Sequence, residues 1–178
     1  MKPQKGYGYL LRALPMLEKG GLSDYSVLLI GDGKIRGDLE QEARSIGREE
    51  KVKFLGMRRD IPGLLRAMDL FAFPSLWEGF GTSLVEAMAA GIPIVASDLP
   101  CVREIIPDER YGLLVPARSA DALAAAILQV WKGGTMGEAR RRAAQDRALE
   151  CFSLVRVVRS YQDLFREILV RKSREGIA

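Results

Sequence analysis

Two carboxylates, Glu78 and Glu86, stand on either side of a short run that reads Gly79-Phe80-Gly81-Thr82-Ser83. Carboxylates are good acceptors for sugar hydroxyls. Glycine at 79 and 81 lets the backbone approach a ligand with no Cβ in the way. A strand-length apolar run ends at Pro74 and a helical pattern begins near Thr82 or Ser83, so this loop joins the carboxyl end of a strand to the amino end of a helix. Open α/β sheets place their sites at such a point. The helix start there offers unpaired amides and the positive end of a dipole to an anion. A plainer account stays open on spacing alone: Ser83-x-x-Glu86 also spells a capping box, and Glu78 also reads as an exposed loop acid.

The composition removes competing chemistries. The 178 residues contain no histidine, which excludes a Ser-His-Asp triad, a histidine base and any histidine-ligated zinc. Cys101 and Cys151 are too far apart in sequence for a Cys-x-x-Cys site, and they read as two buried, reduced thiols of a cytosolic protein. Gly31-Asp-Gly33 begins a dinucleotide fingerprint, but Arg36 occupies its third glycine position, and there is no Walker sequence. The longest apolar run covers 122–128, far short of the roughly 20 residues a membrane helix needs. The first residues, Met-Lys-Pro-Gln-Lys-Gly, lack the apolar core of a signal peptide.

The elements that must position the loop follow from hydrophobic periodicity. Runs at 27–30, 52–55, 70–74, 93–97 and 112–115 are short, apolar and without clean alternation, as strands buried on both faces of a parallel sheet are. Amphipathic stretches at 7–18, 39–46, 61–68, 83–90 and 120–131 read as helices between them. Alternating strands and helices predict an α/β fold, a Rossmann-like doubly wound parallel sheet flanked by helices. From about 136 the pattern is purely helical: 138–151, then 154–170 after a Ser153 cap, with Gly133-Gly134 as a helix break. Residues 1–178 therefore form a single domain whose 136–178 segment is helical. Residues 1–131 carry 16 basic and 17 acidic side chains and residues 132–178 carry 11 and 6, so the net charge of +4 comes from the last quarter. Such a block reads first as the solvated face of helices, and second as a contact for an anionic surface. The chain opens on a helix, whereas a doubly wound sheet opens on a central strand, so the sequence reads as starting one strand late.

Glu78-Gly-Phe-Gly through Glu86-Ala-Met-Ala-Ala-Gly-Ile-Pro-Ile-Val-Ala-Ser97 resembles the E-x7-E region of retaining, family 4 (group 1) glycosyltransferases of GT-B fold. Lys5-Gly6, Leu29-Ile-Gly-Asp-Gly33, Val52-Lys-Phe-Leu-Gly56, Asp69 to Ser75, Glu104-Ile-Ile, Tyr111 to Pro116 and Tyr161-x-x-Leu-Phe165 fall in that family's order. The resemblance covers nearly the whole chain and is to the C-terminal, donor-binding domain.

It implies a nucleotide-diphosphate sugar as substrate, with no cofactor and no metal. Lys5, otherwise an ordinary solvated lysine at a helix start, would neutralise the diphosphate together with amides near Gly81, Thr82 and Ser83. Gly79 and Phe80 would lie near the sugar, Glu78 would meet the transferred sugar's hydroxyls, and Glu86 would accept from the ribose. Backbone around Met57 and Arg58 would read the base. Members of the family usually carry an arginine at a point that falls ahead of Met1, and an N-terminal acceptor domain. Both are expected to be missing here, leaving an inactive piece of an enzyme or one half of a two-chain enzyme. A non-catalytic nucleotide- or partner-binding module is the alternative from another class. No nucleic-acid partner is expected. The location expected is cytoplasmic, with peripheral contact at the inner face of a membrane.

Overall fold

The computed structural model describes the backbone of residues 1–175, and the side chains of all of these except 134–137 and 173–175. Residues 176–178 of the expected C-terminal segment lie outside it. A 3-10 turn, Pro3–Lys5, leads into α1 (Tyr7–Lys19). Strands and helices then alternate: β1 (Val27–Ile30), α2 (Arg36–Ser45), β2 (Val52–Gly56), α3 (Ile61–Arg66), β3 (Phe71–Phe73) and α4 (Thr82–Ala89). They continue as β4 (Ile94–Ser97), α5 (Pro100–Ile105), β5 (Leu113–Val115) and α6 (Ala120–Lys132). Two helices close the chain, α7 (Gly134–Phe152) and α8 (Leu154–Glu175). The α/β reading holds, and each expected strand lies within a residue or two of an observed one.

Every ladder is parallel. β1 pairs with β2, Val27 opposite Val52, while β4 lies between β3 and β5, with Phe71 opposite Ile94 and Val95 opposite Leu113. The five strands do not form one continuous sheet: β1–β2 and β3–β4–β5 are separate ladders among the described residues. Helices cover both faces, as a doubly wound arrangement requires. β4 is buried at all four residues. Its alternate side chains point to opposite faces. Val95 joins a core with Leu11, Leu14, Leu113 and Leu123, under α1 and α6. Ile94 and Ala96 join another with Leu84, Met88 and Ile105, under α4, α5 and α7. The middle strand thus ties two cores together.

Three expectations need correction. Cys151 is exposed and Cys101 only half-buried, so the thiols are not a buried pair; Cys151 lies near the end of α7, beyond its packed positions Ala144 and Ala148. The capping box does not form. The N-cap of α4 is Gly81, at φ +91°, and no side chain caps the helix, which puts Ser83 and Glu86 inside it. Helix α5 was not anticipated; its six residues begin with Pro100 at the first position and are too few to show a helical period. By contrast the Ser153 cap forms, with the Arg156 amide donating to its Oγ at 3.4 Å, and Gly133 ends α6.

Candidate functional site

The carboxyl end of β3 is built against the start of the chain. After Phe73 the backbone passes Pro74 and Ser75, and the Leu76 amide donates to the Gln4 carbonyl at 2.7 Å. This clamps the β3–α4 loop to the 3-10 turn. Gly6 completes the fit: its φ is +63°, and a Cβ there would run into the Pro74 carbonyl oxygen. Only glycine satisfies both conditions at once. Lys5, at the end of the turn, is delivered to the same corner as Glu78.

The two side chains meet. Lys5 Nζ donates to Glu78 Oε1 at 2.7 Å, across 73 residues of sequence. Ser75 Oγ donates to the same oxygen at 2.8 Å. The Lys5 ammonium also lies 5.7 Å from the Phe73 ring centroid, a cation–π contact that holds it over the end of β3. The Glu78 side chain is 9% exposed and that of Lys5 32%, so the pair is partly desolvated and Lys5 keeps a face to solvent. Tyr7, the first residue of α1, lies within reach of this charge: burial pushes its hydroxyl's pKa up, and the negative Glu78 adds to the shift.

Beside this corner α4 begins. Gly81 takes the left-handed conformation, and its carbonyl accepts from the Leu84 and Val85 amides. The amides of Thr82 and Ser83, in the first turn, have no carbonyl within the helix to bond. Thr82 is exposed and Ser83 half-buried. A Cβ at Gly79 would meet nothing within 4 Å, so its bare backbone borders open space. Phe80 is half-exposed and packs edge-on against Phe152, the last residue of α7, at 5.8 Å between centroids. Glu86 is exposed and has no ion-pair partner among the described residues. The site therefore brings together Lys5, Glu78, Ser75 and the open N-terminus of α4, a cation, a carboxylate and free amides in one place.

The expected base-reading segment lies at the end of β2. Met57 is 79% exposed. The Arg58 guanidinium is occupied by Asp60 in a two-pronged ion pair. Gly56, at φ +64°, accepts the Gly31 amide on its carbonyl at 2.7 Å, which ties the ends of β1 and β2 together. Ser75 was missed by the sequence reading as a site residue. The signal available was a hydroxyl placed directly after a buried strand and just before the acidic loop. A cavity of about 70 Å³ bounded by Ile94, Tyr111, Leu113 and Arg140 lies at the opposite ends of β4 and β5. Sites in such sheets form at the carboxyl ends of strands, so this cavity is not the candidate site. Among the described residues no group of three or more acidic or cysteine side chains converges as metal ligands would.

Parallel ladders with helices on both faces, and a corner of a cation, a carboxylate and unpaired amides at the carboxyl end of β3, define a Rossmann-like α/β architecture. The chain belongs to the group 1 glycosyl transferases, whose family pattern it matches over residues 1–133. It is 38% identical over 141 residues to a phosphatidyl-myo-inositol mannosyltransferase of Mycobacterium leprae, covering 77% of this chain and 36% of that protein. To an Escherichia coli UDP-Gal:alpha-D-GlcNAc-diphosphoundecaprenol alpha-1,3-galactosyltransferase it is 27% identical, over 96% of this chain and 44% of that one. Its fold superposes on the crystal structure of Anabaena Alr3699/HepE in complex with UDP, with a TM-score of 0.87 and 29% identity over 93% of this chain and 46% of the other. The chain thus spans less than half the length of these relatives. No helix among the described residues is long and apolar enough to cross a membrane.

Proposed function

We propose that these residues form the donor-binding part of a retaining glycosyltransferase that moves a sugar from a nucleotide-diphosphate sugar to an acceptor hydroxyl. The observation that carries this reading is the 2.7 Å Lys5–Glu78 pair beside the uncapped start of α4. A diphosphate entering there meets the Lys5 ammonium and the amides of Gly81, Thr82 and Ser83. The sugar then lies against Gly79, Phe80 and Glu78. Glu86 accepts from the ribose hydroxyls, and the backbone around Met57 reads the base. Glu86 is exposed and has no competing ion-pair partner among the described residues, which leaves its carboxylate available for that task.

In the reaction the acceptor hydroxyl forms a bond to the anomeric carbon while the bond to the diphosphate breaks. Negative charge grows on the departing phosphate. A fixed cation and aligned amides stabilise that charge more in the transition state than in the bound substrate. No metal is required in this scheme, so transfer by the whole enzyme should persist in a chelator. The acceptor side and the proton acceptor come from outside this set of residues, from a further domain or a partner chain. Lipid-linked acceptors, such as those named for the two sequence relatives, would bring the protein to the inner face of a membrane as a peripheral partner. The basic helical segment from residue 136 to residue 175 offers it a contact there.

Calorimetric titration with UDP, GDP and ADP and their sugars, repeated with Glu86→Ala, tests the reading. Binding of one nucleotide class that Glu86→Ala weakens by about tenfold supports it. Failure to bind any of them favours the non-catalytic module. Sugar transfer by the isolated 178 residues would overturn the assignment of the acceptor side to another domain or chain.

A further inference from the structure

The geometry points to Ser75 as a positioning residue that decides which oxygen of Glu78 is presented to the donor sugar; this rests on the donor-binding reading above. Ser75 is 1% exposed, one of two buried polar side chains in the described chain. Its hydroxyl spends its proton on Glu78 Oε1, the oxygen that also accepts from Lys5. Two donors converge on one carboxylate oxygen, and among the described residues Oε2 receives none.

The two donors differ in what a ligand does to them. Lys5 lies on the rim, and a diphosphate competes with Glu78 for its ammonium. Ser75 is enclosed, and its backbone neighbours are clamped to the 3-10 turn through the Leu76–Gln4 hydrogen bond and the Pro74–Gly6 approach. When phosphate draws Lys5 away, Ser75 keeps its hold on Oε1. Glu78 is itself only 9% exposed, and it is followed by Gly79, whose bare backbone borders open space on the ligand side. With Oε1 still held by the Ser75 hydroxyl, Oε2 is the oxygen left for a sugar hydroxyl after the nucleotide has bound.

The role predicts a split between ligands. In Ser75→Ala, affinity for UDP or GDP changes less than about twofold, whereas the additional affinity for UDP-glucose or GDP-mannose falls about tenfold, the effect of one hydrogen bond to a charged group. Damage to the fold would weaken nucleotide and sugar nucleotide alike. Glu78→Gln provides the second variant: in that background Ser75→Ala should alter sugar discrimination less than twofold, because the two changes act through one carboxylate. Calorimetry on the 178-residue chain reads all four proteins. Equal loss of both ligand types in Ser75→Ala, no loss of either, or additive losses in the double variant would overturn the positioning role while leaving donor binding intact. A wild-type chain that binds neither these four ligands nor ADP and its sugars would overturn donor binding and the positioning role together.

Discussion

Two helices of this chain carry strong apolar stripes and meet opposite fates. On α4, Leu84, Ala87 and Met88 are completely buried, and the helix start lies beside the Lys5–Glu78 pair. On α8, Leu154, Val158, Tyr161, Leu164, Phe165 and Ile168 repeat at helical spacing, yet each is at least 43% exposed among the described residues. Amphipathic periodicity fixes which face of a helix avoids water. It does not say what covers that face. For α4 the cover is β4, α5 and α7, so its start is held rigidly enough to serve a site. For α8 the main neighbour among the described residues is α7, and the stripe stays largely exposed. The charges differ likewise: Lys5 and Glu78 are half-enclosed, whereas the α8 pair Arg166–Asp163 stands in solvent at 73% and 65% side-chain exposure.

The largest effect expected at the corner is from Gly6→Ala. The added Cβ meets the Pro74 carbonyl and the left-handed backbone is strained as well, so stability to urea should fall by about 4 kcal/mol, with donor binding lost. Next, matched truncations separate the two helices. Leu84→Ala should cost about 3 kcal/mol through an unfilled cavity, while Leu164→Ala on α8 should stay within about 0.5 kcal/mol in the same denaturation experiment. Equal costs would mean that the α8 stripe is packed in solution. Lys5→Ala should weaken binding of the nucleoside diphosphate about tenfold, measured by calorimetry.

Smaller effects come from titration and from surface charge. The Tyr25 hydroxyl donates to Glu18 Oε1 at 3.0 Å, and burial, then that bond, push its pKa up to about 12. A raised pKa means the native state favours the neutral phenol. Its stabilisation is whole below the ordinary tyrosine value of 10.0 and disappears as pH rises to about 12. Tyr25→Phe should flatten the alkaline fall in melting temperature over that window. Arg166→Ala on α8 should change stability by less than about 0.3 kcal/mol.

Much of this is legible in the sequence. Alternating apolar runs locate the five strands because each run is short and bounded by turn residues. Glu78, Gly79, Gly81 and Glu86 stand out because they flank a strand-to-helix junction, where open α/β sheets place their sites, although spacing alone leaves a capping box open. What could not be read depends on contacts between distant segments. Lys5 looks like any lysine near a helix start until Gly6 lets its turn dock against Pro74. Ser75 looks like a strand-end serine until burial aims its hydroxyl at Glu78. The capping box was a sound local pattern, and it lost because Gly81 turns left-handed and starts α4 ahead of Ser83.

The sequence by itself determined the α/β alternation, the absence of histidine chemistry and the glycine-flanked acidic loop, since these depend on local periodicity and residue type. The tertiary structure alone decided that Lys5 and Ser75 share one oxygen of Glu78 and that, among the described residues, the strands divide into two ladders and α4 is covered where the α8 stripe is exposed. Those outcomes depend on long-range packing, where a few ångströms between segments far apart in the chain separate a hydrogen bond from open solvent.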